Sequence, residues 1–559
     1  MAQQLSNILV RAPAFQGLNT EDSPLGQDLT YALSADNAVI DRLGRLGSRL
    51  AFATETKTLS TTETNNVQMV RKTKEVMQLY GGDIDGTYYV LAIVRVQQFA
   101  ADNSVLQENW FVCTRVNDTL VGLPLSGLIN EDLSDAHIIH FNNALYIFSK
   151  DNPALIYNGS VLRKMNDEAN YIPPQDDTGV IAANIDGEVA LAAYGRLWVA
   201  GVGGDYNVIH YSDLLIGNQW YDGKATPDDT QNTGGIIDVA QYWPKGGDEI
   251  ISIKAHNNFL VVFGRESILV YANAATGDPA GQDGIFLQDS MKNIGCVARD
   301  ASVNTGADVL FVDDSGIRSL GRTIQEKSVP IGDLSRNVRG DIRRVIGEAD
   351  QSRICLDYWP AEDITVCLFP DTAQAFVMSA LQPSNTGGMK MTKWNRCFFN
   401  KMHYHEHKGR TEMLLGANID SRGLLKYTGY IEYNDKPFEF KWASMPLDFG
   451  SPTNAKLLKS IDYTIFSLFE ETSAIARWGF DGNLTRKKAI GIDALIPAYY
   501  NEATFGDTTF GASGSTIRRY KINTTGSGDL VRIGLDIKIK GNEVSVQEIN
   551  VQTLLGRTL

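Results

Sequence analysis

A short hairpin pattern recurs along the middle of the chain and limits the fold more than any other feature. Asn143-Ala-Leu-Tyr-Ile-Phe leads across a polar bend to Ala154-Leu-Ile-Tyr157. The arrangement returns from Gly195 to Tyr211, from Asn258 to Tyr271 and from Ala307 to Leu320. Weaker copies run from Asp363 to Met378 and from Glu412 to Tyr427. An earlier pair, Tyr88 to Val96 and Trp110 to Val116, supplies one more. The repeat is about 50–60 residues, at or slightly beyond the kelch-like spacing of propeller blades. A lone hairpin cannot bury both faces, whereas four-stranded blades stacked radially share a core and leave only short edges. The expectation is a β-propeller over residues 61–430 with six or seven blades. A set of β-sandwiches is the alternative, which regular spacing disfavours.

The rest of the pattern is also all-β. Asp85-Gly86, Asn158-Gly159 and Asp481-Gly482 sit beside strand-like runs, the signature of tight hairpins. One helix is expected, from Asp333 to Glu348, where Leu334, Val338, Ile342 and Val345 recur on one face.

The ends differ from the middle. Residues 1–60 read as a short irregular arm, and residues 431–559 as a separate, β-rich, sandwich-like domain. Val531, Ile533, Leu535, Ile537 and Ile539 share one strand face. Beyond Gly541-Asn542, Val544 and Val546 alternate in phase, but Ile549 and Val551 do not. A β-bulge near Gln547-Glu548 is therefore expected.

Composition excludes some functions. Against 51 Lys and Arg stand 66 Asp and Glu in 559 residues, a net charge of −15. That balance opposes a surface built to grip nucleic-acid phosphates throughout. Five scattered cysteines (Cys113, Cys296, Cys355, Cys367, Cys397) form no Cys-x-x-Cys pair and read as reduced thiols. The start shows no secretory leader, and no apolar run is long enough to span a bilayer. Assembly in a cell's cytoplasm, without stable membrane insertion, is expected.

Searches for reaction motifs return little. Gly223-Lys224 lacks both the following hydroxyl residue and the upstream glycine of a phosphate-binding loop. Gly201-Val-Gly-Gly204 lacks the third glycine of a dinucleotide fingerprint, and Asp83-Ile-Asp85-Gly86 reads as a hairpin turn rather than a calcium loop. Ser212-Asp213 to Trp220 is loosely like the Asp-box of sialidase propellers, without its defining glycine spacing. No catalytic residue and no cofactor is expected. His403, His405 and His407 stand on one face of a strand, which would span about 13 Å, too far for all three to reach one ion. Exposed, solvated histidines are the ordinary reading. They are also the only metal candidates, and symmetric neighbours in an oligomer would favour binding because each copy would contribute a pair.

Both ends resemble one family. Gly17-Leu-Asn-Thr-Glu-Asp-Ser-Pro-Leu25, Asn37-Ala-Val-Ile-Asp41 and Gly44-Arg-Leu-Gly-Ser-Arg49 are similar to the start of the tail nozzle proteins of short-tailed bacteriophages, the tail tubular protein B and tail-hub family. Ile209-His-Tyr-Ser-Asp-Leu-Leu215, Leu447-Asp-Phe-Gly-Ser-Pro-Thr453, Val531-Arg-Ile-Gly-Leu535 and Gln547 to Gly556 are similar to later parts of it. The resemblance implies a structural virion protein in a ring, usually a homohexamer, at the distal end of the tail, with the arm of residues 1–60 contributing to a platform that residues 431–559 complete. The ring would be a conduit and gate for genome ejection, docking to the tail adaptor protein and to tail fibres or spikes. Double-stranded DNA would pass without sequence-specific binding. Six copies would carry about −90 charges in all, and an acidic or neutral lumen would let DNA slide. The alternatives are a tail-associated propeller glycosidase acting on surface polysaccharide and a glycan-binding adhesin.

Overall fold

Six of the seven recurring hairpins form the middle pair of strands in a blade, and the one from Ala307 to Leu320 forms the last two strands of a three-stranded blade. The computed structural model describes residues 4–25, 28–40, 45–56, 58–60, 71–100, 102–124, 132–176, 179–180, 182–220, 234–275, 284–326, 333–407, 409–418, 423–467, 472–492 and 516–558. Inner strands that the repeat did not reveal complete the blades toward the axis. In order they are Arg71–Ile84, His137–Phe141, Val189–Ala193, Ser252–His256, Ser302–Asn304, Cys355–Trp359 and Phe399–His407. Each contacts the next, and the last contacts the first, so the propeller has seven blades, numbered here from Arg71–Ile84. Six blades are separate sheets, and blade six is continuous with a platform sheet.

Burial on both faces explains why the repeat was visible. Ala144–Ser149, Ser267–Ala272 and Ile364–Phe369 are buried at every position, because a neighbouring blade covers each side. Such strands read as unbroken apolar runs. The turns joining inner to second strands use left-handed pairs. Asp85-Gly86, Asn142-Asn143 and Asn257-Asn258 all have positive φ, the geometry that lets a two-residue turn match strand twist.

Blade five has three strands, Ser302–Asn304, Val309–Asp313 and Gly316–Ser319. The helix Leu320–Glu326, which the sequence reading missed, packs against the last two. The expected helix is shorter than Asp333 to Glu348. It spans Arg339–Glu348 after a 3-10 turn at Arg336–Val338. Asp333 is held outside it by a β-bridge to Arg318, while its carboxylate accepts hydrogen bonds from the Ser335 amide and hydroxyl. The four apolar residues of the pattern are nonetheless all buried.

Two facing sheets form the platform. One joins Ala38–Ile40, Leu46–Ser48, Val544–Thr558, Asn454–Ser467 and Thr516–Asn523, with Gln4–Arg11 along the edge of Val544–Thr558. The other joins Tyr31–Asp36, Phe438–Ser444, Val531–Ile539, Thr472–Phe480 and Arg486–Ile492. Ile533, Leu535 and Ile537 share a core with Ile461, Tyr463 and Val551. Register slips where Thr464 pairs with Glu548 but Ile465 pairs with Val546, which leaves Gln547 as the bulged residue. The bulge turns Ile549 and Val551 back into the core.

One boundary needs correction. The arm of residues 1–60 was expected to contribute to the platform and the propeller to begin at residue 61, yet the last part of the arm joins the propeller. Phe52–Thr54 pairs antiparallel with Leu424–Tyr427 as the outer strand of blade seven, and Thr58–Ser60 pairs in parallel with Thr119–Gly122 of blade one. The circle needs its last blade finished, and a strand from the other end of the chain ties that blade into place.

Arg49 sits where the arm passes from platform to propeller. Its guanidinium lies 3.9 Å over the Phe52 ring of blade seven and 4.2 Å over the Phe438 ring of the platform. It donates to Asn37 Oδ1 at 3.0 Å, to the Leu50 carbonyl at 2.7 Å and to Glu432 Oε1 at 2.8 Å. Side-chain exposures of 1% for Arg49 and 8% for Glu432 put this ion pair beyond the reach of screening by water. Replacing Arg49 with Met should strand the Glu432 carboxylate and cost about 3–5 kcal/mol. Calorimetry should show a lower Tm for Arg49→Met, whereas an unchanged Tm would mean that the pair adds nothing.

Candidate functional site at the propeller axis

The inner strands run from one face of the propeller to the other around a polar axis. At the face where they begin, the connectors between blades enclose a cavity of about 760 Å³. Its wall includes Asp135, Glu188, Tyr206, Arg299, Arg353 and Lys401. A second cavity of about 260 Å³ lies further along and shares Gln78, Asp300, Cys355 and Lys401 with the first.

Arg299 and Asp300 form a cross-brace between the two. They sit in the connector just before the inner strand of blade five, yet reach across the axis. Arg299 donates to the carbonyls of Asp135 and Ala136, which enter blade two, and to the Glu188 carbonyl, which enters blade three. It also donates to both Asp300 carboxylate oxygens, at 3.3 and 3.1 Å. Asp300 receives Lys401 Nζ from blade seven at 2.6 Å and Gln78 Nε2 from blade one at 3.4 Å. Burial alone would raise the Asp300 pKa. The charges of Arg299 and Lys401 and the Arg299 hydrogen bond outweigh it and hold the carboxylate ionised well below its usual range.

A carboxyl pair stands at the mouth. Burial, then a hydrogen bond to Glu188 and its charge, push Asp135 up to about 7, against the lowering effects of the Lys150 amide and Arg299. Glu188 also accepts from Tyr206 Oη at 2.8 Å. Two adjacent carboxyls that share a proton behave in this way. In the second cavity, burial raises Asp357 to about 6 although the Tyr358 amide, Lys401 and Lys254 oppose it.

The histidines are placed differently from the expectation of exposed, solvated rings. His403 lines the second cavity, and the Gly81 amide donates to its Nε2 at 3.1 Å, with Tyr88 Oη at 3.1 Å from the same atom. Burial, followed by the charges of His405 and Lys401, pushes the His403 ring down to about 3. His405 is buried and stacks on Tyr88 with ring centroids 3.9 Å apart. Phe399–His407 is the innermost strand of blade seven and lies between the inner strands of blades six and one, which is why these rings are packed. The side chain of His407 lies outside the described residues, as do Gly223 and Lys224. Among the described residues, no three His, Cys, Asp or Glu side chains converge as ligands for one ion.

All five cysteines are buried free thiols, and burial pushes Cys113, Cys355 and Cys397 up to about 12. They are poor nucleophiles in this state. Ser212 and Asp213 make a turn rather than a ligand site, with Ser212 Oγ accepting from the Leu197 amide and Asp213 Oδ1 from the Leu214 amide. Among the described residues, no helix is long and apolar enough to cross a membrane. Sequence reasoning missed Asp135, Glu188, Arg299 and Asp300. The available signal was positional, since each lies one to three residues ahead of an inner strand.

No family model and no curated protein matches the chain. Solved structures with similarity include the WD40 domain of Toxoplasma gondii coronin, at 10% identity and a TM-score of 0.33, covering 70% of this chain and 87% of that one. Kluyveromyces lactis Hsv2p matches at 9% identity and a TM-score of 0.26, covering 58% and 99%. An exo-β-1,3-galactanase from Phanerochaete chrysosporium matches at 8% identity and a TM-score of 0.25, covering 90% and 99%. Similarity at this level says nothing about activity.

The Asp135 pair carries a pH signature. Its folded pKa lies above the unfolded value, so the folded state holds a proton that the unfolded state releases. That stabilisation is complete below about pH 4 and is lost as pH rises through about 7. Asp135→Asn should flatten the fall in Tm between pH 5 and 8 relative to the parent chain, as read by thermal melts across buffers. Parallel profiles would show that the pair does not hold the proton.

Proposed function

We propose that this chain is a structural virion protein, a subunit of the nozzle ring at the distal end of a short phage tail. In this reading it is a conduit and gate for genome ejection and a docking site for the adaptor and for fibres or spikes. The observation that carries the reading is the build of the platform. Its sheets interleave segments from both ends of the chain, the regions where the sequence resembles the nozzle family. A platform tied to the propeller through Arg49 suits a part that must pass load between neighbours in a ring.

The axis of a single propeller is an unsuitable DNA path, because Arg299, Asp300 and Lys401 cross it. The conduit would be the hole between subunits. The acidic total, −15 per chain, suits a passage that does not retain phosphates.

A propeller glycosidase is the second reading, favoured by the polar mouth and the raised pKa of Asp135. Its carboxyl pair has the wrong spacing, however. Asp135 and Glu188 are in hydrogen-bond contact, whereas glycosidase pairs stand about 5 Å or more apart to admit a sugar carbon or a water.

Negative-stain microscopy of the purified full chain, together with a reducing-sugar assay on a panel of bacterial surface polysaccharides, tests the choice. Rings with a central hole and no released sugar are expected. Dispersed monomers, or sugar release, would overturn the nozzle reading.

A further inference from the structure

The far face of the propeller, where the inner strands end, exposes apolar side chains in four consecutive blades. Val116 ends a strand of blade one and Val161 stands in a turn of blade two. Leu214, Leu215 and Ile216 follow the third strand of blade three, and Phe286 begins the outer strand of blade four. Hydrogen bonds tie each of these blades to the next at this end. Asn143 donates to Asp85 Oδ1 at 3.0 Å, Asn142 to the Leu215 carbonyl at 2.5 Å, and Tyr194 Oη to the Phe259 carbonyl at 3.1 Å.

Leu215 is the strained point of this face. Its φ of 60° lies in the left-handed region that leucine seldom adopts. Its amide donates to the Gly195 carbonyl at 2.7 Å, which together with Asn142 holds the conformation. The side chain is nonetheless 62% exposed. A strained loop that displays leucine to water is arranged for contact rather than for its own packing. Exposed charge beside these tips has one sign. Asp83, Asp85 and Asp118 are exposed, and the turns at this end of blades one to four carry no lysine or arginine among the described residues.

The platform carries the opposite surface. Arg486–Ile492 and Thr516–Asn523 are the end strands of its two sheets, and Arg486 donates to the Thr525 carbonyl just past the second. Neither strand contains an acidic residue. Arg486, Lys487, Lys488, Arg519 and Lys521 are exposed, together with Ile517. Glu548 lies 3.3 Å from Arg519, yet this edge stays cationic in a chain of net charge −15. Lysines on an end strand also discourage stray pairing, a role that needs no partner, so the test must exchange the charges.

We propose that copies of this chain associate head to tail, the apolar and acidic far face of blades one to four in one copy seating on the cationic platform edge of the next. Both surfaces lie on one chain and differ from each other, so the contact is heterologous and runs on as a filament or closes as a ring. Only its closing around a hole rests on the nozzle reading.

Sedimentation velocity of the full chain tests this. The parent should associate, and less so at high salt. Lys487→Glu, Lys488→Glu and Arg519→Glu together turn the platform edge negative, while Asp83→Lys with Asp118→Lys turns the far face positive. Each variant alone should associate roughly tenfold more weakly or worse. An equimolar mixture of the two should regain association, because each then offers the surface that the other lacks. Leu215→Asn suits the left-handed φ and should weaken association about tenfold at unchanged Tm, a reading that stands even if a charge variant fails to fold. A monomeric parent, association indifferent to these changes, or a mixture no better than its parts would overturn the proposal. Rings that ignore every substitution would refute this contact and leave the nozzle reading standing. Charge-dependent filaments without a hole would do the reverse.

Discussion

A propeller is a circle cut from a linear chain, and everything else in this molecule depends on how the cut is closed. Blade seven contributes three strands from its own region, and Phe52–Thr54 supplies the fourth from the other end of the chain. The same arm has already passed through both platform sheets before reaching that blade. Closure of the propeller and assembly of the platform are therefore one event. Arg49 is the point where they meet, stacked between an aromatic ring of each and donating to Asn37, Leu50 and Glu432. Burying a guanidinium is expensive, and the geometry here meets the cost with Glu432, Asn37 and a carbonyl.

The axis follows the same logic with a different partner set. Seven inner strands leave a polar core that apolar side chains cannot fill. Arg299 and Asp300 fill it by reaching from one connector to four other blades. The brace divides the channel into a mouth, where two carboxyls share a proton, and a deeper cavity lined by Lys254, Lys401, His137 and Asp357. Charged groups this close act as a unit. Burial is the largest influence on Asp135 and Asp357, while at Asp300 the charges of Arg299 and Lys401 outweigh it.

Much of the architecture was legible in the sequence because burial on both sides writes long apolar runs. One hairpin in each of the seven blades is legible for that reason, as are the alternating platform strand at Val531 and the slip at Gln547. The inner strands differ in length and content, from the fourteen residues of Arg71–Ile84 through the apolar Val189–Ala193 to the three residues of Ser302–Asn304, so they left no common signature. His403 and His405 misled for a related cause. A polar residue usually signals exposure, but an inner strand buries polar groups against the axis and neighbouring blades, here beside Tyr80 and Tyr88. Arg299 and Asp300 form an ordinary dipeptide whose meaning exists only once five blades converge. Pairing of Phe52 with Tyr427 was hidden because it joins residues almost a whole propeller apart in sequence.

Hydrogen exchange on the closing strand tests the central claim most directly. If the arm fastens both bodies, the amides of Phe52–Thr54 and Leu424–Tyr427 will be as protected as those of Ser267–Ala272 in blade four. In Arg49→Met both segments should lose protection together. Rapid exchange of Phe52–Thr54 in the parent chain, with the blades still protected, would contradict the account, because the circle would then be held shut by something else.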